Sequence, residues 1–162
     1  MVKKSVIGVL IALLIAMVMG GCSGTAGSDP DGLMRGFKWD DSMDKVKSEE
    51  AGTPDEWGNI LTYYDIDMGL PGTTMIGYRF TDEGNLSDIV YMIYTDESEL
   101  ISCFDELKAR LAESYGEGED VSSNVVEAGY YDEAYLWEST GTSISLYKNT
   151  PESQIDLHLK KN

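Results

Sequence analysis

The feature that most constrains the fold is a series of short runs in which apolar residues recur at every second position, a period that suits a sheet with one buried face. Ile60 to Ile66 and Met75 to Phe80 alternate in this way, and Leu86 to Tyr94 reads as a third strand. Between the last two lies Asp82-Glu83-Gly84-Asn85, a hairpin turn built from residues that tolerate a left-handed backbone. Further strands are predicted at Val121 to Val126, Ala134 to Ser139, Thr142 to Lys148 and Gln154 to Lys160. Thr140-Gly141 turns one pair, and Asn149 to Ser153, with Pro151, turns the next.

A helix is expected ahead of each group of strands. Asp41 or Ser42 stands where a cap belongs for a short helix reaching about Ala51, with Met43 and Val46 facing inward and Gly52 and Pro54 ending it. Asp96 and Glu99 form a capping box for a longer helix that stops at Tyr115 and Gly116. Its residues Leu100, Cys103, Phe104, Leu107 and Leu111 are spaced three or four apart and predict a buried stripe. Helix followed by antiparallel strands, twice over, predicts a single α+β domain at 32–162. Its halves, about 37–95 and 96–162, form one sheet with the helices on one face.

The first residues carry a different signal. Lys3 and Lys4 precede an uncharged apolar run from Val6 to Met19, and Gly20 and Gly21 lead directly into Cys22. The run is shorter than the ~20 residues a membrane-crossing helix needs, and it ends in small residues as a secretory signal does. It resembles bacterial lipoprotein signals, with Met19, Gly20, Gly21 and Cys22 standing where the lipobox stands. The resemblance implies removal of residues 1–21, lipidation of Cys22, and a flexible linker at 22–31. The expected location is therefore extracytoplasmic, with the membrane as a partner through lipid on Cys22.

Charge narrows the partners. The formal net charge is −17, and loss of residues 1–21 removes two lysines and no acids, giving −19. Nucleic acid is excluded as an expected partner, because binding it requires positive charge to displace counterions, and adhesion to anionic lipid is disfavoured for the same reason. With Cys22 lipidated, Cys103 has no partner for a disulfide, and its place in the helical stripe predicts an inert buried thiol.

Phe37, Trp39, Ser42 and Val46 form an F-x-W-x-x-S-x-x-x-V pattern. Together with the repeated helix-plus-meander layout, it resembles the β-lactamase-inhibitor-protein-like fold and the SmpA/OmlA outer-membrane assembly lipoproteins. Those proteins usually have Gly after the Trp, where this chain has Asp40. The resemblance implies noncatalytic protein binding, and transfers no ligand residue.

Catalytic chemistry is sparse in the sequence. The one histidine, His158, falls on the solvent side of the terminal alternating run, and no G-x-S-x-G element accompanies it. Asp65 and Asp67 share one side of a strand end, while Asp40, Asp41 and Asp44 crowd a helix start, where acids complement the helix dipole. Asp29, Asp31 and Gly32 begin like a calcium loop, but the Gly falls two places early. No cofactor and no metal are expected. Ten tyrosines remain, several in adjacent pairs such as Tyr63 with Tyr64 and Tyr130 with Tyr131. Adjacent strand residues face opposite sides, so each pair puts one ring away from the helices. Either this makes a tyrosine-rich contact surface, for which Tyr63 and Tyr135 are the candidates and Tyr64 and Leu136 the opposite-face neighbours, or it reflects the preference of tyrosine for strands. The expected function is noncatalytic binding of a protein or peptide. The alternative is an enzyme or solute-binding domain acting on sugars or cell-wall fragments through a carboxylate pair.

Overall fold

The computed structural model describes residues 32–126 and 129–162. The expected lipobox, Cys22 and the linker lie outside the described residues. Eight strands form one antiparallel sheet: β1 (Asp55–Trp57), β2 (Ile60–Tyr63), β3 (Thr73–Phe80), β4 (Leu86–Tyr94), β5 (Glu119–Asp120), β6 (Glu133–Ser139), β7 (Thr142–Asn149) and β8 (Gln154–Lys161). Their order across the sheet is β1-β2-β3-β4-β8-β7-β6-β5, so the last strand pairs with β4 at the centre. Among the described residues three helices accompany them: α1 (Met43–Glu49), α2 (Glu97–Tyr115) and α3 (Ser122–Val126). The α+β class and the main strands agree with the sequence pattern.

Two local expectations are corrected. The stretch predicted as a strand at Val121 to Val126 holds the short helix α3 from Ser122, because Asp120 Oδ1 accepts from both the amide and the hydroxyl of Ser122 and turns the chain into a helical start. The strand in this stretch is the two-residue β5 just before it. Asp96 does cap α2, but its side chain makes no capping hydrogen bond, so the reciprocal box with Glu99 is not formed. Edge strand β1 is too short to have shown alternation.

Helices α1 and α2 cover one face of the sheet. Val46 of α1 and the predicted α2 stripe of Leu100, Cys103, Phe104, Leu107 and Leu111 share a core with Tyr78, Ile89, Tyr91, Leu157, Leu159, Ile144 and Leu146. The inward residues sit opposite one another across the ladder, as Ile76 does Tyr91, Tyr91 does Leu157 and Leu157 does Leu146. Ser42 caps α1 by accepting from the Lys45 amide at 3.2 Å. The other motif residues are also structural. Phe37 packs edge-on to Tyr78, and Trp39 Nε1 donates to Thr142 Oγ1 on β7 at 2.8 Å. Asp40, where the resembling proteins have Gly, adopts φ 73°, a left-handed backbone that Asp tolerates better than most residues. Its amide donates to Leu86 O, and Asp41 O accepts from the Leu86 amide.

One charged cluster borders the helix-side core. Arg35 forks onto Glu50 through Nε and Nη2 at 2.7 and 2.8 Å, and the buried Tyr78 hydroxyl donates to the same carboxylate at 2.5 Å. Burial acts to raise the Glu50 pKa, but the donors Arg35, Tyr78 and the Ala51 amide outweigh it and hold the carboxyl below its ordinary value. The Tyr91 hydroxyl donates to Leu33 O at 2.5 Å, tying the segment before α1 to the sheet.

Candidate functional site

The opposite face of the sheet is where side chains converge without helices α1 and α2 above them. Strand register sorts them into rows that cross the strands. A middle row runs Thr62, Gly77, Val90, His158 and Ser145. On one side of it lie Met75, Met92, Asp156 and Tyr147, and on the other Arg79, Asp88, Lys160 and Ser143. With only a glycine at 77 and short side chains at 62, 90 and 145, the middle row is lower than its neighbours. A shallow depression of about 340 Å³ opens there, with Ile60, Val90 and Met92 as apolar walls and Arg79, Tyr131, Asp156 and His158 as polar ones.

Asp156 is the most deeply placed polar group of this face, at 5% exposure. Its Oδ2 accepts from the Tyr131 hydroxyl at 2.8 Å and its Oδ1 from Gln154 Nε2 at 2.6 Å. Burial and this bond push the Tyr131 phenol well above its ordinary range, so it stays a donor. The Tyr131 ring lies 4.7 Å from that of Tyr147, and Tyr147 is edge-on to His158 at 5.3 Å. Burial pulls the His158 pKa down against the opposing effect of Asp156 and Asp88.

Aromatic exposure concentrates on the same face. Trp57 pairs with Ile60, and it is 85% exposed. Tyr64, 50% exposed, follows β2 and donates to Asp55, the partner of Thr62. Tyr94, across from Thr73 and Gln154, is 39% exposed.

The sequence assigned the wrong ring of one pair to this face. Tyr63 is only 1% exposed and packs edge-on to Tyr78 in the helix-side core, while its neighbour Tyr64 is the outward ring. Tyr135 is likewise on the helix side. It packs against the core beneath α2, with Lys108 Nζ 3.6 Å from its ring centroid, and Leu136 lies on the open face opposite Ser145. His158 is on the open face as expected, and Cys103 is buried, its thiol pKa raised by that burial. Asp65 and Asp67 border a separate loop depression with Met68 and Leu70. No sequence motif marks Trp57, Tyr94 or Asp156, although alternation from Ile155, Leu157 and Leu159 places Asp156 opposite the core.

Among the described residues no group of three or more His, Cys, Asp or Glu side chains is arranged to hold a metal ion, and no helix is long and apolar enough to cross a membrane. No model of a known protein family, no curated protein and no solved structure matches this chain.

Proposed function

We propose that this chain is a lipid-anchored, extracytoplasmic, noncatalytic module that binds a protein or peptide on the open face of its sheet. The observation that carries the reading is the exposure of Trp57, Tyr64 and Tyr94 on a sheet face that α1 and α2 leave uncovered. Large rings with few rotors supply contact area at low entropic cost, and they dominate the energetics of protein interfaces. The strand order, β1 to β4 and then β8 back to β5, supports two helix-plus-meander units joined in tandem. Cys22 is the proposed lipid attachment point, and residues 22–31 the tether.

The sugar-directed alternative asks for two acids converging on one pocket. Asp156 is the one acid among the residues lining the described open-face depression, which favours the binding reading. A photo-cross-linking residue placed at Thr62 or Ser145, in cells making the full chain, is expected to capture a defined protein. The same residue at Ser48 of α1 or Glu106 of α2 is expected to capture none. Capture from the helix positions alone, or from no position, sinks the proposal.

A further inference from the structure

Gly77 has no structural reason to be glycine. Its backbone is ordinary strand outside the left-handed region, and a Cβ built on it meets only Val90 O at 3.9 Å, an unstrained contact. Glycine inside a strand weakens it and often marks a place where something else approaches closely. What the fold gains is a gap in the floor of the open-face depression. From Thr62 to His158 this row crosses three inter-strand steps, a trough about 14 Å long.

At the β8 end of the trough stands an acid without a cation. Among the described residues no Lys, Arg or His nitrogen pairs with Asp156, although five other ion pairs occur. Each of its oxygens accepts one hydrogen bond, which leaves lone pairs on both. The Tyr131 and Tyr147 rings lie beside it, and aromatic faces attract ammonium and guanidinium groups. A buried anion is costly unless a cation answers it, and a chain of net charge −17 draws cationic partners toward its surface.

Resting on the open-face binding reading, we propose that the trough over Gly77 receives a lysine or arginine side chain of a partner polypeptide. Its apolar stem lies along Val90 and Met92, and its cationic head meets Asp156 beside the paired rings of Tyr131 and Tyr147. Long basic side chains suit such a site, because their methylenes bury on apolar surface while the charged end finds its own partner. Arg79 and Lys160, one row away, flank Asp88, so the rim on that side carries both signs.

The test titrates the full chain, in uncharged detergent micelles, with an N-acetylated, C-amidated pentapeptide bearing lysine at its centre and alanine elsewhere. Calorimetry is expected to give saturable binding, about tenfold or more weaker when norleucine replaces lysine or when Asp156→Asn removes the acid. Asp105→Asn, an exposed acid on α2, is the matched control for net charge and is expected to leave affinity unchanged. Gly77→Val fills the trough, and is expected to cut binding while the thermal midpoint holds or rises. It keeps the test decisive if Asp156→Asn impairs folding. Equal binding of the norleucine peptide, equal loss in Asp156→Asn and Asp105→Asn, retention of affinity in Gly77→Val, or no binding at all overturns the proposal. So does butylammonium binding as tightly as the peptide, which makes this a free-amine site. If the pentapeptide fails while cross-links from Thr62 persist, the lysine assignment falls and the binding face stands; if both fail, both fall.

Discussion

Replacing Tyr63 by Phe is expected to stabilise the protein, and the reason lies in a single hydroxyl. The Tyr63 ring is buried on the helix side of β2, yet its hydroxyl has no hydrogen-bond partner among the described residues. A buried polar group left unpaired costs about 1–3 kcal/mol. Phe keeps the ring and its edge contact with Tyr78, 5.9 Å between centroids, so the substitution removes the penalty without opening a cavity. The expected gain is about 1 kcal/mol, or roughly 3–5 °C in thermal midpoint for a domain of this size. Tyr63→Ala deletes the ring and is expected to cost about 3–5 kcal/mol. Urea unfolding of the domain beginning at residue 32 measures both, provided the slopes match, since a changed slope alters the reference state. Loss of about 1 kcal/mol or more in Tyr63→Phe refutes the unpaired hydroxyl, and an unchanged midpoint in Tyr63→Ala removes the ring from the core altogether.

Four further outcomes are expected. Glu50→Ala strands the buried Tyr78 hydroxyl and the Arg35 fork and is expected to cost about 3 kcal/mol in the same urea assay. Because the Glu50 pKa is lower in the fold than its ordinary 4.5, its contribution is complete above that value and lost as pH falls through the folded one; the acid side of the stability profile should flatten in Glu50→Ala, and an unchanged profile contradicts the assignment. His158 should titrate by NMR below 6.5, since burial favours its neutral form, which leaves stability untouched above 6.5 and subtracts from it as pH drops toward the folded value; a midpoint at or above 6.5 shows Asp156 and Asp88 outweighing burial. Cys103 should react with thiol reagents only after denaturation, and rapid labelling of the native domain refutes its burial. Cys22→Ala is expected to abolish lipid labelling and leave residues 1–21 attached, whereas intact mass showing an unmodified Cys22 removes the anchor.

The strands were legible because period-2 alternation is a local property, and β4 was placed to the residue at Leu86–Tyr94. Adjacent aromatics defeated the same rule. In Tyr63-Tyr64 both faces receive a tyrosine, so composition cannot say which ring is inside; Leu61, fully buried one period before Tyr63, decides it. Tyr135 was equally ambiguous, since its neighbours Ala134 and Leu136 are also apolar, and its facing Leu146 across the ladder settles the side. The α3 segment misled for a different reason. Val121, Val125 and Val126 suggest a strand, but a helix of five residues carries no period to read, and the Asp120 hydrogen bonds to Ser122 decide its course.

The trough was illegible for a deeper reason than any of these. Thr62, Gly77, Val90, His158 and Ser145 come from five strands and have no shared spacing along the chain. They become one row only through the pairings Thr62 with Gly77, Gly77 with Val90, Val90 with His158, and His158 with Ser145. The third of these joins β4 to β8 across the centre of the sheet, where residues 68 positions apart meet. Shifting that one ladder by a single residue would put the β8 core residues Leu157 and Leu159 on the open face and turn Asp156 and His158 into the core. The apolar burial of Ile155, Leu157 and Leu159 therefore fixes more than stability. By enforcing register, it brings the acid to the end of the glycine trough, so the core residues of β8 determine which groups the opposite face presents.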